Sequence, residues 1–438
     1  MAGIITQILS TILGMGITIA FVLVQITASK YIPQIIDMFL RWRINFFPLA
    51  LFIFSLISVN MNASPTQDLI LLFACVISLV PYFYLLFEFL KPVNLIERMS
   101  DETLVALKKK DRGKTIDGIA KINKMAKSAV QMMISEVPLK SIELEREIII
   151  QYLDIKKNFP SEWFLVDESV FPGTPPEAME EINRNKVWLE MQIFHQFTVI
   201  FTLILSSWYK LRDVITGILI TTRIIGERAC EKGDIYVLNL TIKFFNTFIR
   251  LALNSNDRTV IYNIFYQYRL LAEFLLTKNE EMSVRIASYL RYYGRLAEDL
   301  GLNYVLETSL YDIMVLNQKA VEKNAGNIET LLNDFLCMYD QARKNGNKKL
   351  LFNLQKRYLM LGGFYLLKGR DGLAEKIKEC LAGTNIEEIT ETLQEIFEVR
   401  DPDFWEITDR IINFDYVDES HKDKIKEFVE RLKKTGSC

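Results

Sequence analysis

Histidine is scarce in this chain of 438 residues, and cysteine occurs only as isolated residues. There are two histidines, His195 and His421, and none of the five cysteines forms a Cys-x-x-Cys pair. The patterns His-Glu-x-x-His, Gly-x-Ser-x-Gly, Gly-x-x-x-x-Gly-Lys and Gly-x-Gly-x-x-Gly are missing as well. Because such patterns supply metal ligands, nucleophiles and phosphate-binding loops, we expect no enzyme activity, no metal site and no cofactor.

An excess of charge of either sign is also missing. Lys and Arg number 52, while Asp and Glu number 54. Since the chain has no strong positive field, we expect no nucleic-acid partner. The wide spacing of the cysteines predicts free thiols. They are Cys75, Cys230, Cys337, Cys380 and Cys438.

Charged residues are absent from two long stretches near the N-terminus, 4–27 and 69–87. Each is long enough to cross a hydrocarbon core of about 30 Å, which takes roughly 20 apolar residues. A shorter apolar run at 46–59 predicts a further span once interfacial residues complete its length. We therefore expect a transmembrane domain over 1–91, with spans at 4–27, 45–61 and 69–90.

The basic residues are distributed unequally among the connections. Lys30, Arg41 and Arg43 lie between the first two spans, the next connection has no Lys or Arg, and residues 91–112 carry six. Basic connections stay in the cytoplasm. We expect a multi-pass protein of the cell (inner) membrane, with its N-terminus outside and its C-terminus cytoplasmic. Residues 1–30 lack the basic start and the cleavage site of a signal peptide.

After residue 91 the apolar residues follow the spacing of amphipathic helices. Ile328, Leu331, Leu332 and Phe335, for example, recur at i, i+3, i+4 and i+7. The predicted fold class is an all-α integral membrane protein, with three transmembrane helices followed by a large α-helical cytoplasmic domain. We divide that domain into juxtamembrane helices at 92–157, a proline-rich loop at 158–176, a central apolar helical block at 177–279 and a C-terminal helical array at 280–438.

Two local patterns in the cytoplasmic part have simple interpretations. The uncharged stretch 196–209 is short for a span, so we interpret it as a helix buried in the cytoplasmic core, with contact to the bilayer as the alternative. The cluster Glu143, Glu145 and Glu147 predicts a solvated helix face. Lys108, Lys109 and Lys110 predict another solvated face, close enough to the inner leaflet to meet anionic lipid.

Residues 350–381 resemble one tetratricopeptide unit, in which small residues allow two antiparallel helices to approach. This resemblance implies helical-hairpin repeats at the C-terminal end, and an ordinary helical bundle is the alternative. The residues that carry it are Leu361, Gly362, Tyr365, Gly369, Leu373, Ala374, Ile377 and Leu381, with a weaker echo at Leu290, Gly294, Ala297 and Gly301.

One face of the first span is polar or small. Its residues recur at alternating steps of four and three, whereas Ile5, Ile12, Ile19 and Ile26 point elsewhere. In hydrocarbon such a face packs against another helix or lines water, so it is our candidate pore-lining or helix-packing surface. Its members are Gln7, Thr11, Gly14, Thr18 and Gln25, with Phe21 and Ala28 on the same face.

Two segments, 22–47 and 233–273, resemble a known family. In the first, Val24-Gln25, Ser29, Tyr31, Pro33, Phe39, Leu40 and Arg43 resemble Leu-Gln-x-x-Ser-Ser-x-Phe-x-Pro-Arg followed by Phe-Leu-x-Asp-Arg. In the second, the run from Ala252 through Asn256, Asp257 and Thr259 is similar to Ala-Leu-Ser-Pro-x-Ile-Asn-Asp-Pro-x-Thr. The family is a set of bacterial membrane proteins catalogued as domain of unknown function 2254. The resemblance, as a remote or variant member, implies a membrane protein with a cytoplasmic domain and no assigned reaction.

The Asn256-Asp257 pair also has a structural interpretation of its own. An apolar helix precedes it and another follows, so we expect Asp257 to cap the N-terminus of the second helix. The functional alternative is an amide and a carboxylate that face a pore mouth or an ion.

Two functions remain after these exclusions. A homo-oligomer that conducts ions along its first transmembrane helices would explain the polar face. The alternative is a membrane-anchored scaffold or sensor, which would bind protein partners through its C-terminal helices.

Overall fold

The computed structural model describes residues 2–61, 64–403 and 412–435. Helices account for 82% of it, and no strand occurs among the described residues, which confirms the all-α prediction. Asn62, in the connection between the second and third predicted spans, and Cys438 lie outside the described residues.

The chain divides into two compact units, Met1–Gly217 and Ile218–Cys438. The proline-rich loop 158–176, where the sequence suggested a boundary, belongs to the first unit. Its aromatic residues explain this, because Trp163 packs 5.4 Å from Trp188 between ring centroids and donates to the hydroxyl of Tyr152. The predicted central block 177–279 is consequently shared between the two units.

The first unit opens with three long apolar helices, α1, α3 and α4, each of which packs on the other two. They coincide with the three predicted spans. Their shared core contains Leu9 of α1, Phe52 of α3 and Cys75 of α4. Ser64 and Gln67 form a reciprocal capping box that starts α4. The helices of this part are α1 (Ala2–Lys30), α2 (Ile35–Arg41), α3 (Phe46–Asn60) and α4 (Pro65–Leu90).

Five further helices complete the first unit. Helices α5, α6 and α7 pack on one another, and α9 packs on α6 and α7. Short 3-10 turns at Lys156–Asn158 and Ser161–Phe164 follow α7. The bounds are α5 (Pro92–Lys108), α6 (Arg112–Gln131), α7 (Glu136–Ile155), α8 (Pro176–Asn185) and α9 (Trp188–Ser206).

Helix α9 contains most of the uncharged stretch 196–209. Its 19 residues make it a fourth helix long and apolar enough to cross a membrane. Its apolar side chains nevertheless lie inside the protein, because Phe194, Phe197 and Phe201 are fully buried. Near its start, the buried Glu190 accepts from Lys156 at 2.7 Å. The part of this stretch within α9 therefore has buried apolar side chains, whereas Trp208 and Tyr209 at its end are exposed.

The second unit contains a stack of helices in which each helix from α11 to α15 contacts the next one and the next but one. Equivalent contacts recur at a sequence separation of 46 residues, as in Arg285–Asn239, Gly326–Glu280 and Arg370–Asn324. Such spacing is typical of helical-hairpin repeats longer than the roughly 34 residues of a tetratricopeptide unit. Helix α10 (Arg212–Lys232) contains the boundary between the two units. The stacked helices are α11 (Ile235–Asn254), α12 (Arg258–Leu275), α13 (Glu280–Asp299), α14 (Asn303–Glu322), α15 (Ile328–Lys344), α16 (Lys348–Leu367) and α17 (Asp371–Leu381).

Two last helices, α18 (Ile386–Glu398) and α19 (Glu419–Thr435), close the C-terminal end of this stack. Both pack on α16. A Cβ at Gly362 would lie 2.7 Å from the ring of Phe428 in α19, so this small residue admits α19. Gly294, by contrast, allows the other helix of its own hairpin to approach, since a Cβ at this position would lie 2.6 Å from Ser309 of α14.

Candidate functional site

The buried face of α1 consists of apolar and small residues that pack against α3 and α4. Leu9, Ala20 and Val24 are fully buried. Gly16 lies on the same face, where its Cβ position is 3.7 Å from a methyl group of Leu79. One side of the helix is therefore already occupied within a single protomer.

The polar face of α1 points the opposite way. Because a helix advances about 100° per residue, the Gln7, Gly14 and Thr18 positions lie about half a turn from the centre of the buried face. All five candidate positions on this face are exposed, namely Gln7, Thr11, Gly14, Thr18 and Gln25. We name this set the α1 stripe. No part of the described chain covers it.

The hydroxyl groups in the α1 stripe are satisfied locally. Thr11 donates to the carbonyl of Gln7 and Thr18 donates to the carbonyl of Gly14, both at 2.8 Å. Gly14 has open space in front of it, with no atom within 4 Å of its Cβ position. The open space at Gly14 would allow a second helix to approach the stripe closely.

The C-terminal end of the same face is partly covered. Phe21 packs edge-on against Phe39 of α2 at 5.7 Å between centroids, and Ala28 is buried. On the other faces, Ile12 packs against the three-helix core while Ile19 and Ile26 are exposed. The continuous exposed part of the stripe therefore runs from Gln7 to Gln25.

The first family-like segment docks the end of α1 onto the juxtamembrane helices. Tyr31 is buried, and its carbonyl accepts from Ser128 of α6 at 3.2 Å. Ser29 is exposed and donates to the carbonyl of Ile26, while Pro33 and Arg43 are exposed. These residues have a structural role in turning the chain from α1 into α2.

An aromatic cluster surrounds that turn. Trp42 stacks on Phe89 at 4.6 Å, Phe39 packs against the same ring at 6.3 Å, and Arg98 lies over it at 4.8 Å. Rings with one polar neighbour are typical of the interface between lipid headgroups and water.

The second family-like segment forms a loop in the other unit. Asn256 has a φ of 54°, and the side chain of Asp257 accepts from the backbone N–H of Val260 at 3.1 Å. The predicted helix cap is therefore confirmed, and Thr259 is exposed in the first turn of α12. The same combination recurs at Lys110-Asp111, Gly233-Asp234 and Gly346-Asn347, so the motif is a recurrent way of joining helices.

The prediction of a solvated face at Glu143, Glu145 and Glu147 is wrong for its central member. Glu145 is fully buried among α5, α6 and α7, and this burial raises the pKa of its carboxyl group well above the usual value, against an opposing effect of Asn123. A step of two residues turns a helix by about 200°, which separates Glu145 from its neighbours. The sequence does contain a signal for this burial, because Glu145 shares a helix face with Ile142, Ile148 and Ile149.

No family model matches the chain, and no curated protein matches it. Among solved structures, it is similar to a circular tandem repeat protein with novel repeat topology and enhanced subunit contact surfaces. That similarity has 14% identity and a TM-score of 0.41, over 95% of this chain and 97% of the other. The resemblance to domain of unknown function 2254 stays a prediction from the residues alone.

No group of three or more His, Cys, Asp or Glu side chains that could hold a metal ion occurs within 2–61, 64–403 and 412–435.

Proposed function

We propose that this chain is a homo-oligomeric protein of the cell membrane whose first helices associate through the α1 stripe and line a conduction pathway for ions. Helices α1, α3 and α4 cross the bilayer in this proposal, with the N-terminus outside and the remaining helices in the cytoplasm. Reporter fusions after residues 62 and 438 test the orientation, and an external signal at residue 438 would overturn it.

The exposure of the α1 stripe supports this proposal. The opposite face of α1 already packs on α3 and α4, which leaves the stripe available to another helix or to water. The amide groups of Gln7 and Gln25 would find hydrogen-bond partners in either case. A ring of first helices would supply both, since Gly14 permits close approach and Gln7 and Gln25 would face the axis at its two ends.

Self-association through the α1 stripe can be tested with bulky substitutions. Gly14→Leu should lower the oligomer population because it fills the open space that a second helix would use. Ile19→Phe, which adds bulk on a lipid-facing flank of the same helix, is the matched control. Native mass spectrometry in detergent measures both, and a monomeric wild type or an unchanged Gly14→Leu oligomer would refute the proposal.

Conduction can be separated from dry packing by cysteine accessibility. In a background without native thiols, cysteines at Gln7, Thr11, Thr18 and Gln25 should react with a membrane-impermeant thiol reagent, since a thiolate forms only where water is present. Cysteine at Ile12 reports the dry core of the protomer, and cysteine at Ile19 reports lipid. Modification should also change the current in reconstituted bilayers. If all four cysteines are protected and no current is measured, the stripe is a dry helix-packing surface and the conduction proposal is wrong.

A membrane-anchored scaffold is the second candidate, and the stack from α11 to α17 favours it. Stacked hairpins present a continuous surface on which protein partners bind. A photo-crosslinking residue at the exposed Tyr292 of α13 should give protein adducts in cells. The same residue at Tyr84, on the exposed side of α4, is the control and should give none. Equal labelling at both positions would count against the scaffold.

A further inference from the structure

A tight turn of the C-terminal segment packs against helices α12, α14 and α16 of the second unit. The turn spans Asn413 to Tyr416, whose N–H donates to the carbonyl of Asn413 at 3.3 Å. The side chain of Asn413 accepts from the N–H of Asp415 at 3.1 Å, a short-range bond that is common in turns. Phe414 and Asp415 are therefore presented together at the tip.

The ring of Phe414 lies among three tyrosines from two helices. It stacks on Tyr311 at 4.3 Å and on Tyr304 at 6.2 Å, both from α14, and lies 5.9 Å from Tyr262 of α12. Tyr262 and Tyr304 also stack on each other at 5.8 Å. Aromatic contacts of this kind contribute roughly 0.5 to 1.5 kcal/mol each beyond burial.

The carboxylate of Asp415 is held by two cations of α16. Arg357 lies 2.8 Å from one carboxylate oxygen and Lys356 lies 3.1 Å from the other. Arg357 also donates to the carbonyl of Phe414 at 2.6 Å. Burial alone would raise the pKa of Asp415, but Arg357 and Lys356 outweigh it and lower that pKa below its usual value.

These contacts define a groove across α12, α14 and α16, which we name the tyrosine–arginine groove. Its lining residues are Tyr262, Tyr304, Tyr311, Lys356 and Arg357. The guanidinium of Arg357 is almost fully buried, and leaving a buried cation without an anion costs several kcal/mol. With the turn in place, Asp415 supplies that anion and Phe414 packs at the apolar end, so the lining matches an aromatic residue followed by an acidic one.

We propose that the tyrosine–arginine groove is a docking site for a partner protein's peptide turn, in which an aromatic residue is followed by an acidic residue. In this structure the Phe414-Asp415 turn of the same chain occupies it. This inference specifies the ligand chemistry of the scaffold function and rests on that second candidate. It is independent of conduction.

The surrounding structure argues for occupation within one chain rather than exchange between copies. Helix α19 begins at Glu419, directly after the turn, and is fixed on α16 by His421, which bonds the carbonyl of Met360 at 2.6 Å, and by Ile425 against Gly363. The turn is joined to this helix within five residues, so its own groove is the one within reach. A partner must therefore compete with a tethered ligand, whose effective concentration is of millimolar order.

A direct test uses the full chain in detergent and a labelled peptide with the sequence of residues 412–418 as the probe. The variant with Phe414→Ala and Asp415→Ala empties the groove and should bind the probe at least about ten-fold more tightly than the wild type, because the internal competitor is gone. Adding Arg357→Gln to that variant should weaken binding by about ten-fold or more, since a charged hydrogen bond is lost. Tyr236→Leu, which changes an exposed tyrosine of α11 that does not line the groove, is the matched control and should leave binding unchanged.

The outcomes discriminate between alternatives. Equal binding of the probe to wild type and emptied variant, or no binding to an emptied variant with a native circular dichroism spectrum, would overturn the proposal. Exchange of turns between differently sized chains in a mixture would assign the groove to a second copy and would also overturn it. Should the double variant unfold, Asp415→Asn keeps the shape of the turn and should still increase probe binding. If the probe fails while Tyr292 crosslinks to partners, the groove is excluded and the scaffold function is retained.

Discussion

The apolar segment Arg43–Asn60, which contains α3, and helix α9 have similar mean hydropathies and different surroundings. Their most apolar windows have mean hydropathies of 1.5 and 1.3, but 22% of the first window is buried in the protein against 56% of the α9 window. Helix α9 also has an ion pair, Lys156–Glu190, inside its packing. Hydropathy therefore identifies an apolar helix, whereas burial and charged partners distinguish a protein interior from a lipid-facing surface.

The largest expected difference comes from removing a ring in each helix. Phe197→Ala in α9 creates a cavity in a fully packed interior, for which about 3 to 5 kcal/mol of destabilisation is typical. Phe54→Ala in α3 removes a ring that is 63% exposed and should cost far less, because lipid can fill the space. Thermal unfolding of the purified variants measures both. Equal losses would mean that Phe54 is also covered, for example by another protomer.

The next largest difference should come from a lysine placed on the exposed side of α4 or of α9. Ile77 near the middle of α4 is 65% exposed, and Ile77→Lys should oppose insertion by about 2.5 to 3.5 kcal/mol. Thr202 is exposed on α9, and Thr202→Lys should cost within about 0.5 kcal/mol, as other surface substitutions do. Resistance to alkaline extraction from membranes measures insertion. An equal defect from Thr202→Lys would place α9 in the bilayer.

The smallest expected effect is the pH dependence of stability that arises from Glu145, a buried residue of α7 in the interior beside α9. Because the folded state holds Glu145 with a raised pKa, it binds a proton that the unfolded chain releases above the usual carboxyl pKa of 4.5. Stability should therefore fall as the pH rises above that value. Glu145→Gln should remove this dependence, so the variant should melt above the wild type, with a gap that is wider at pH 8 than at pH 5. A gap that stays constant with pH would indicate that Glu145 does not titrate in this range.

Local patterns were sufficient to predict most helices. The three apolar stretches became α1, α3 and α4 within a few residues of their expected ends, and the cap at Asp257 followed from the residues around it. The sequence also identified the α1 stripe, whose exposure opposite Leu9 and Ala20 only the packing of three helices reveals. Their place in a membrane stays a prediction.

Features that depend on distant residues were not predictable in this way. The contacts 46 residues apart were not predicted, because Arg285–Asn239 and Gly326–Glu280 repeat the same geometry with different residue types. The tyrosine–arginine groove joins Tyr262 to Phe414 across about 150 residues. The spacing of apolar residues within one helix cannot predict a contact between residues so far apart in the chain.

The connection between α4 and α5 is a single residue, Lys91, between Leu90 and Pro92. Asn94 bonds back to the carbonyl of Glu88 at 2.7 Å, so the two helices are stapled at the joint. Ser128 of α6 holds the end of α1 through Tyr31. The α5–α7 bundle is thus attached to two of the apolar helices at separate points, so a tilt of α4 relative to α1 would strain the packing of α5 on α6.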